Sequence, residues 1–217
     1  MKQPEIISTW VRGASLALML AAMQSAGLAQ GIIYVTPQQP IYYADVLDRS
    51  LELDLNGDGL ADYLLICTLQ GVYLSPQNNN SVIADGSYLV AALNQGEVIS
   101  FSLNPAYQWI NAGNVPGGNA TIGASAIFDG EYFYTGNFSG LDAFIGLQFQ
   151  FDGTTHYGWM EVNNYPNAAA GQVLGWAYET SPNTPITAGA VPEPSTFTLL
   201  AISGVAVGLL RRKHTKN

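Results

Sequence analysis

Between two strand-like stretches the chain reads Asp54-Leu55-Asn56-Gly57-Asp58-Gly59-Leu60-Ala61-Asp62. Oxygen-bearing side chains recur at every second residue, at Asp54, Asn56 and Asp58. Gly59 follows where the chain must turn sharply to fold them around one centre, a conformation glycine adopts without steric cost. Leu60 then offers a backbone carbonyl, and Asp62 a further oxygen directly or through water. Hard oxygen donors in this order suit a calcium ion. A plain turn needs neither Asp54 nor Asp62, and carboxylates gathered without a cation repel one another. The alternative is that Asn56-Gly57-Asp58-Gly59 is a hairpin turn with solvated acids.

The spacing matches the first nine positions of an EF-hand loop, but position twelve is Leu65 rather than a bidentate glutamate, and the flanks alternate like strands. The expectation is a calcium-bound β-turn at the weak extracellular end of affinity, on the order of 10⁻⁴ to 10⁻³ M. Its role is to staple a domain that has no disulfide, since Cys67 is the only cysteine. That residue sits in the apolar run Tyr63-Leu64-Leu65-Ile66-Cys67, with no base or positive charge beside it, and reads as a small buried hydrophobe.

Catalytic chemistry has little to work with. His156 is the only histidine outside the C-terminal tail, and its alternating neighbours Gly158 and Met160 suggest a structural position on a half-buried strand. No serine lies in a nucleophile elbow and no glycine-rich phosphate loop opens a helix. Paired carboxylates for glycoside hydrolysis meet only in the fold, and Glu161 and Glu179, each following an aromatic strand, are the candidates. The expectation is that the chain is not an enzyme. Tyr157, Trp159, Trp176 and Tyr178 are the other resource. They either fill a sheet core, the arrangement alternating aromatics favour, or form an exposed platform that stacks on sugar rings.

The elements that position these residues read as strands. From 30 to 190 no stretch keeps a helical period, whereas period-two alternation recurs between turn residues. Ile145, Leu147, Phe149 and Phe151 alternate with Gly146, Gln148 and Gln150, and Asp152-Gly153 then gives a two-residue hairpin signal before a strand over 155–162. Further strands are predicted over 49–53, 62–69, 88–93, 97–103, 124–128 and 173–179, with loops at 77–80 and 111–119. The fold class is all-β, an antiparallel β-sandwich of jelly-roll or similar type over 30–180, with 181–190 a Pro- and Thr-containing spacer.

Charge is scarce and segregated. Only 11% of residues are charged, against about 25% in an average chain. The segment 30–194 carries fifteen acids and one base, Arg49, a formal net of −14. Such a surface repels nucleic acid and anionic headgroups and attracts divalent cations. The bases collect at the ends. Lys2 and Arg12 precede the uncharged stretch 13–22, and Gly27-Leu28-Ala29 places small residues where a signal peptidase reads, so 1–29 is expected to be a secretory signal cleaved after Ala29. At the other end Val191-Pro192-Glu193-Pro194-Ser195 precedes the uncharged run 196–210, and Arg211-Arg212-Lys213 follows. Fifteen helical residues rise about 22 Å, so a transmembrane helix here relies on snorkelling arginines to span roughly 30 Å of hydrocarbon. The basic cluster holds the last residues in the cytoplasm. Membrane contact is expected only through this helix.

The order Pro192-Glu193-Pro194, short hydrophobic helix, then Arg211 and Arg212 resembles the PEP-CTERM sorting signal over 191–217. The resemblance implies recognition by an exosortase, a membrane cysteine protease-transferase of Gram-negative bacteria that make exopolysaccharide. Processing near Pro194 and display at the surface or in the matrix follow from it, with exopolysaccharide as a candidate partner. The motifs of 54–63, 145–149, His156-Tyr157-Gly158-Trp159 and 176–179 together resemble a group of uncharacterised secreted bacterial proteins, which brings no activity with it.

Overall fold

A computed structural model describes residues 31–44, 48–129 and 131–192. Its strands are β1 (Ile32–Val35), β2 (Ile41–Ala44), β3 (Arg49–Leu53), β4 (Tyr63–Thr68), β5 (Gly71–Pro76), β6 (Ser81–Asp85), β7 (Val98–Ile99), β8 (Tyr107–Ile110), β9 (Ala120–Phe128), β10 (Glu131–Thr135), β11 (Asp142–Phe151), β12 (Thr154–Asn164), β13 (Ala170–Glu179) and β14 (Ile186–Thr187). Among the described residues the only helical element is a 3₁₀ turn at Pro116–Gly118. Each strand-to-strand pairing is antiparallel. The expected signal helix and transmembrane helix lie outside the described residues.

Seven strands make the larger sheet, in the order β1-β13-β12-β11-β6-β8, with β2 also paired to β13. Five make the second sheet, β10-β9-β5-β4-β3. The two pack as a sandwich. Leu53, Leu65, Leu74 and Ile122 on the smaller sheet share a core with Val82, Ile145, Leu147, Phe149 and Met160 on the larger one. The alternation in β11 thus becomes one buried face, since side chains two apart point the same way. At the end of that strand Asp152 and Gly153 both take positive φ, 49° and 71°, the backbone of a tight two-residue hairpin that joins Phe151 to Thr154. The Tyr63 hydroxyl ties the layers further, lying 2.9 Å from the Ser81 carbonyl and 2.8 Å from that of Gln148.

The other face of the larger sheet is also covered. Ile83, Tyr157, Trp159 and Ala177 pack there against Ala91, Leu93, Ile99, Ile186 and Ala188. This second layer explains why β12 is buried at consecutive residues rather than at alternate ones. It also corrects two expectations. The segment 181–190 is not a spacer: Ile186–Thr187 pairs with Val98–Ile99, Ile186 and Ala188 are buried, and the compact unit runs from Ile32 to Val191. Small apolar residues among its prolines and threonines were enough to dock it. The stretches 88–93 and 97–103 are mostly irregular cover; the first touches the sheets through single bridges at Leu89, Val90 and Leu93, and the second contributes the short β7, which among the described residues pairs only with β14. Val90, Ala91, Leu93 and Ile99 bury, whereas Tyr88, Val98 and Phe101 are exposed, so the apolar content of these stretches reads as strand without the continuous pairing of one. A bulge between Glu161 and Val162 of β12 and the facing Gly175 and Val173 leaves Leu174 as the extra residue, so the inward positions of β13 change parity there.

Candidate functional site

The loop 54–62 joins β3 to β4 at one end of the sandwich. It is closed by its own side chains. The Asp54 carboxylate accepts the Gly57 N–H at Oδ1 (2.7 Å) and the Gly59 N–H at Oδ2 (2.9 Å). Asn56 Oδ1 accepts from the Asp58 N–H (2.9 Å), and Asp58 Oδ1 from the Leu60 N–H (2.8 Å). The Asn56 amide donates to Asp58 Oδ2 (3.2 Å). Gly57 and Gly59 take φ of 79° and 86°, the left-handed backbone that bends the chain around Asp54. An ionised carboxylate has about four lone-pair sites, so these bonds leave acceptor capacity on Asp54 and Asp58.

Asp62 is placed differently. It is only 5% exposed, its Oδ2 accepts the Leu55 N–H (2.9 Å), and its Oδ1 accepts from the Asn80 amide (3.2 Å). Burial raises its pKa, and the Asp58 and Asp54 charges raise it further, so the three carboxylates lie within electrostatic reach of one another. Among the described residues, however, no three His, Cys, Asp or Glu side chains converge as a metal-binding group. The loop draws Asp54, Asn56 and Asp58 together, holds Asp62 at the rear as a brace, and leaves Leu60 64% exposed.

The aromatic residues do not form a platform. Tyr157, Trp159 and Tyr178 are all buried and Trp176 is half-buried. A ring enclosed on both faces offers nothing to a sugar. Their polar handles are used for support: the Trp159 Nε1–H donates to the Ala190 carbonyl (3.1 Å) and the Trp176 Nε1–H to the Leu55 carbonyl (3.1 Å). Trp176 thereby anchors the start of the loop 54–62 to the larger sheet. Phe149 meets Tyr178 edge to face at 5.3 Å.

The remaining polar candidates are structural in their surroundings. His156 is buried, with Nε2 at 2.9 Å from Thr154 Oγ1 and Nδ1 at 2.9 Å from the Glu179 carbonyl oxygen. Cys67 is buried in the core. Glu161 faces Gly175, whereas Tyr178 pairs with Gly158, which sets Glu179 level with Tyr157. Four strand residues separate the two glutamates, about 13 Å, beyond the roughly 5 to 9.5 Å of paired glycosidase carboxylates. Burial, helped by Asp142, pushes the Glu161 pKa up.

One feature was read in the sequence only as loops. The turn 77–80 and the segment 111–119, both crossing from one sheet to the other, border an open cleft of about 490 Å³. The signal available was the density of asparagine and glutamine there.

Residues 190–213 match the PEP-CTERM protein-sorting motif. The C-terminus is an exosortase sorting signal. With that motif the chain is an exported, membrane-anchored precursor that exosortase processes for surface display. Of the sorting residues only Pro192 is among the described ones; Glu193, Pro194, Arg211 and Arg212 lie outside them, as does the signal cleavage site at Ala29. No curated protein and no solved structure matches the chain.

Proposed function

We propose that the mature domain is a non-catalytic structural and binding module of the cell surface or extracellular matrix, stabilised by calcium at the loop 54–62. The observation that carries this is the self-closed loop, in which Asp54, Asn56 and Asp58 are oriented by backbone N–H groups before any ion arrives. Such pre-organisation lowers the cost of ordering ligands. A cation there would offset the mutual repulsion of Asp54, Asp58 and Asp62, in a segment whose one base, Arg49, hydrogen-bonds the Tyr42 carbonyl instead. The ligands would be Asp54, Asn56, Asp58 and the Leu60 carbonyl, with Asp62 acting through water or as the brace. Binding only to the folded state adds stability by mass action.

Two measurements test the reading. The surface form isolated from an exosortase-competent host is expected to begin at Gln30 and end near Pro194, and changing Pro192-Glu193-Pro194 to alanines is expected to leave an unprocessed membrane-held form. A surface species retaining Arg211 to Asn217 refutes the processing. Turnover assays on polysaccharides and esters are expected to give no activity above buffer, and hydrolysis abolished by one carboxylate substitution refutes the non-catalytic role.

A further inference from the structure

The cleft between the loops 77–80 and 111–119 has a lining unlike the rest of the domain. No charged and no aromatic side chain borders it; carboxamides do, from Gln77, Asn78, Asn79, Asn111 and Asn119, together with glycines. Its volume, about 490 Å³, falls in the range of small-ligand sites. From this we infer that the cleft is a binding site for a neutral polyhydroxylated ligand, the end or a short stretch of an uncharged glycan. The inference rests on the binding role proposed above and assigns the ligand class to a site.

Three observations support it. First, the amides facing the cleft are incompletely used. The Asn79 and Asn119 side chains have no hydrogen-bond partner among the described residues, and Asn111 uses only its Oδ1, toward the Gly113 N–H (2.9 Å) and the Asn114 N–H (3.1 Å). Gln77 donates to the Ser75 carbonyl (3.0 Å) and leaves its own oxygen free. A carboxamide carries two donors and an acceptor in one plane, so it can both give to and take from a pair of adjacent hydroxyls.

Second, the walls are held rigidly. Asn80 is 1% exposed, donates to the Asp62 carbonyl (3.0 Å) and accepts from the Gln150 N–H (2.9 Å), fixing the base of the 77–80 turn to both sheets. Opposite it, Asn114 accepts from the Asn111 N–H (2.7 Å) and donates to the Trp109 carbonyl (3.2 Å). A polar site whose groups are placed in advance binds without the cost of ordering them.

Third, the surroundings select. A domain with fifteen acids and one base repels anionic ligands, and a cleft without apolar rings or cations gives neither lipid nor phosphate a partner. Uncharged hydroxyls are what remain complementary to uncharged amides.

The test is calorimetric titration of the full chain, purified in a detergent without a sugar headgroup, with neutral gluco-, galacto- and mannotetraoses in α and β linkage. Tetragalacturonate serves as the anionic control. Saturable binding of at least one neutral probe is expected, weakened about tenfold or more by Asn79→Ala combined with Asn111→Ala, since each removes a hydrogen-bonding group from the cleft. Phe133→Ala, on the smaller sheet away from the cleft, is expected to leave binding unchanged. Both variants change partly or fully exposed side chains, and their melting curves verify folding. No binding by any neutral probe, undiminished binding by the double variant, or preference for tetragalacturonate overturns the inference. A calcium-dependent melting shift that persists in that event leaves the stabilising role of the loop 54–62 standing and removes only the glycan site.

Discussion

Removing one ligand from the loop 54–62 separates a cation site from a turn. Asp58 is exposed, and its carboxylate bonds only the Leu60 N–H and the Asn56 amide within the loop. In chelator, Asp58→Ala is therefore expected to cost no more than about 1 kcal/mol. The calcium effect follows from the ligand set. With Leu65 at the place of a bidentate glutamate, and both Asp62 oxygens already hydrogen-bonded, the affinity belongs at roughly 10⁻⁴ to 10⁻³ M. At about 10 mM calcium, mass action then adds roughly 1.4 to 2.7 kcal/mol. For a domain of this size that is an increase of about 3 to 10 °C in the unfolding midpoint. The assay is thermal unfolding of the protein followed by circular dichroism in calcium and in chelator. The expected result is a rise for the natural sequence and none for Asp58→Ala. An equal midpoint in both buffers, or a rise that survives the substitution, refutes the reasoning and leaves a hairpin turn with solvated acids.

Other perturbations read different parts of the same structure. Because burial and the Asp58 and Asp54 charges raise the Asp62 pKa above its unfolded value, the folded state holds that proton more tightly. Without calcium, stability is expected to rise as pH falls from the raised value toward the ordinary aspartate range and to level off below it; Asp62→Asn, less stable but flatter in a melting-against-pH series, checks the sign. Trp176→Phe keeps an aromatic side chain but loses the bond to the Leu55 carbonyl and part of the indole's packing, so it is expected to cost at least about 1 kcal/mol and to weaken calcium binding, measured by titrating the melting shift. Phe149→Ala, at a fully buried ring in contact with Tyr178, is expected to cost about 3 to 5 kcal/mol in denaturant unfolding, whereas Phe133→Ala, 52% exposed, is expected to change stability by about 0.5 kcal/mol or less.

Address and class were legible in the sequence because both are written locally. A sorting motif is read as a linear segment, and residues 190–213 carry it without help from the fold. Alternation of period two is likewise a property of consecutive residues, so Arg49–Leu53 reads as a strand to the residue, and β11, β12 and their Asp152-Gly153 hairpin follow from spacing alone. Seven of the described strands were not read at all: β1, β2, β8, β10 and β14 are short, and β5 and β6 are buried at consecutive residues, so no period of two declares itself in them. Tertiary packing decided what lay on the second face of the larger sheet. Whether Trp159 stacks on a sugar or fills a core depends on whether another segment covers it, and the cover, 186–190, is remote in sequence and unremarkable in composition. The separation of Glu161 from Glu179 and the hydrogen bonding of both Asp62 oxygens were decided by register and by Asn80, a partner eighteen residues away. The asparagine cleft exists only because two loops crossing between the sheets meet at one end, and distance in space between remote segments is the quantity that a linear pattern does not contain.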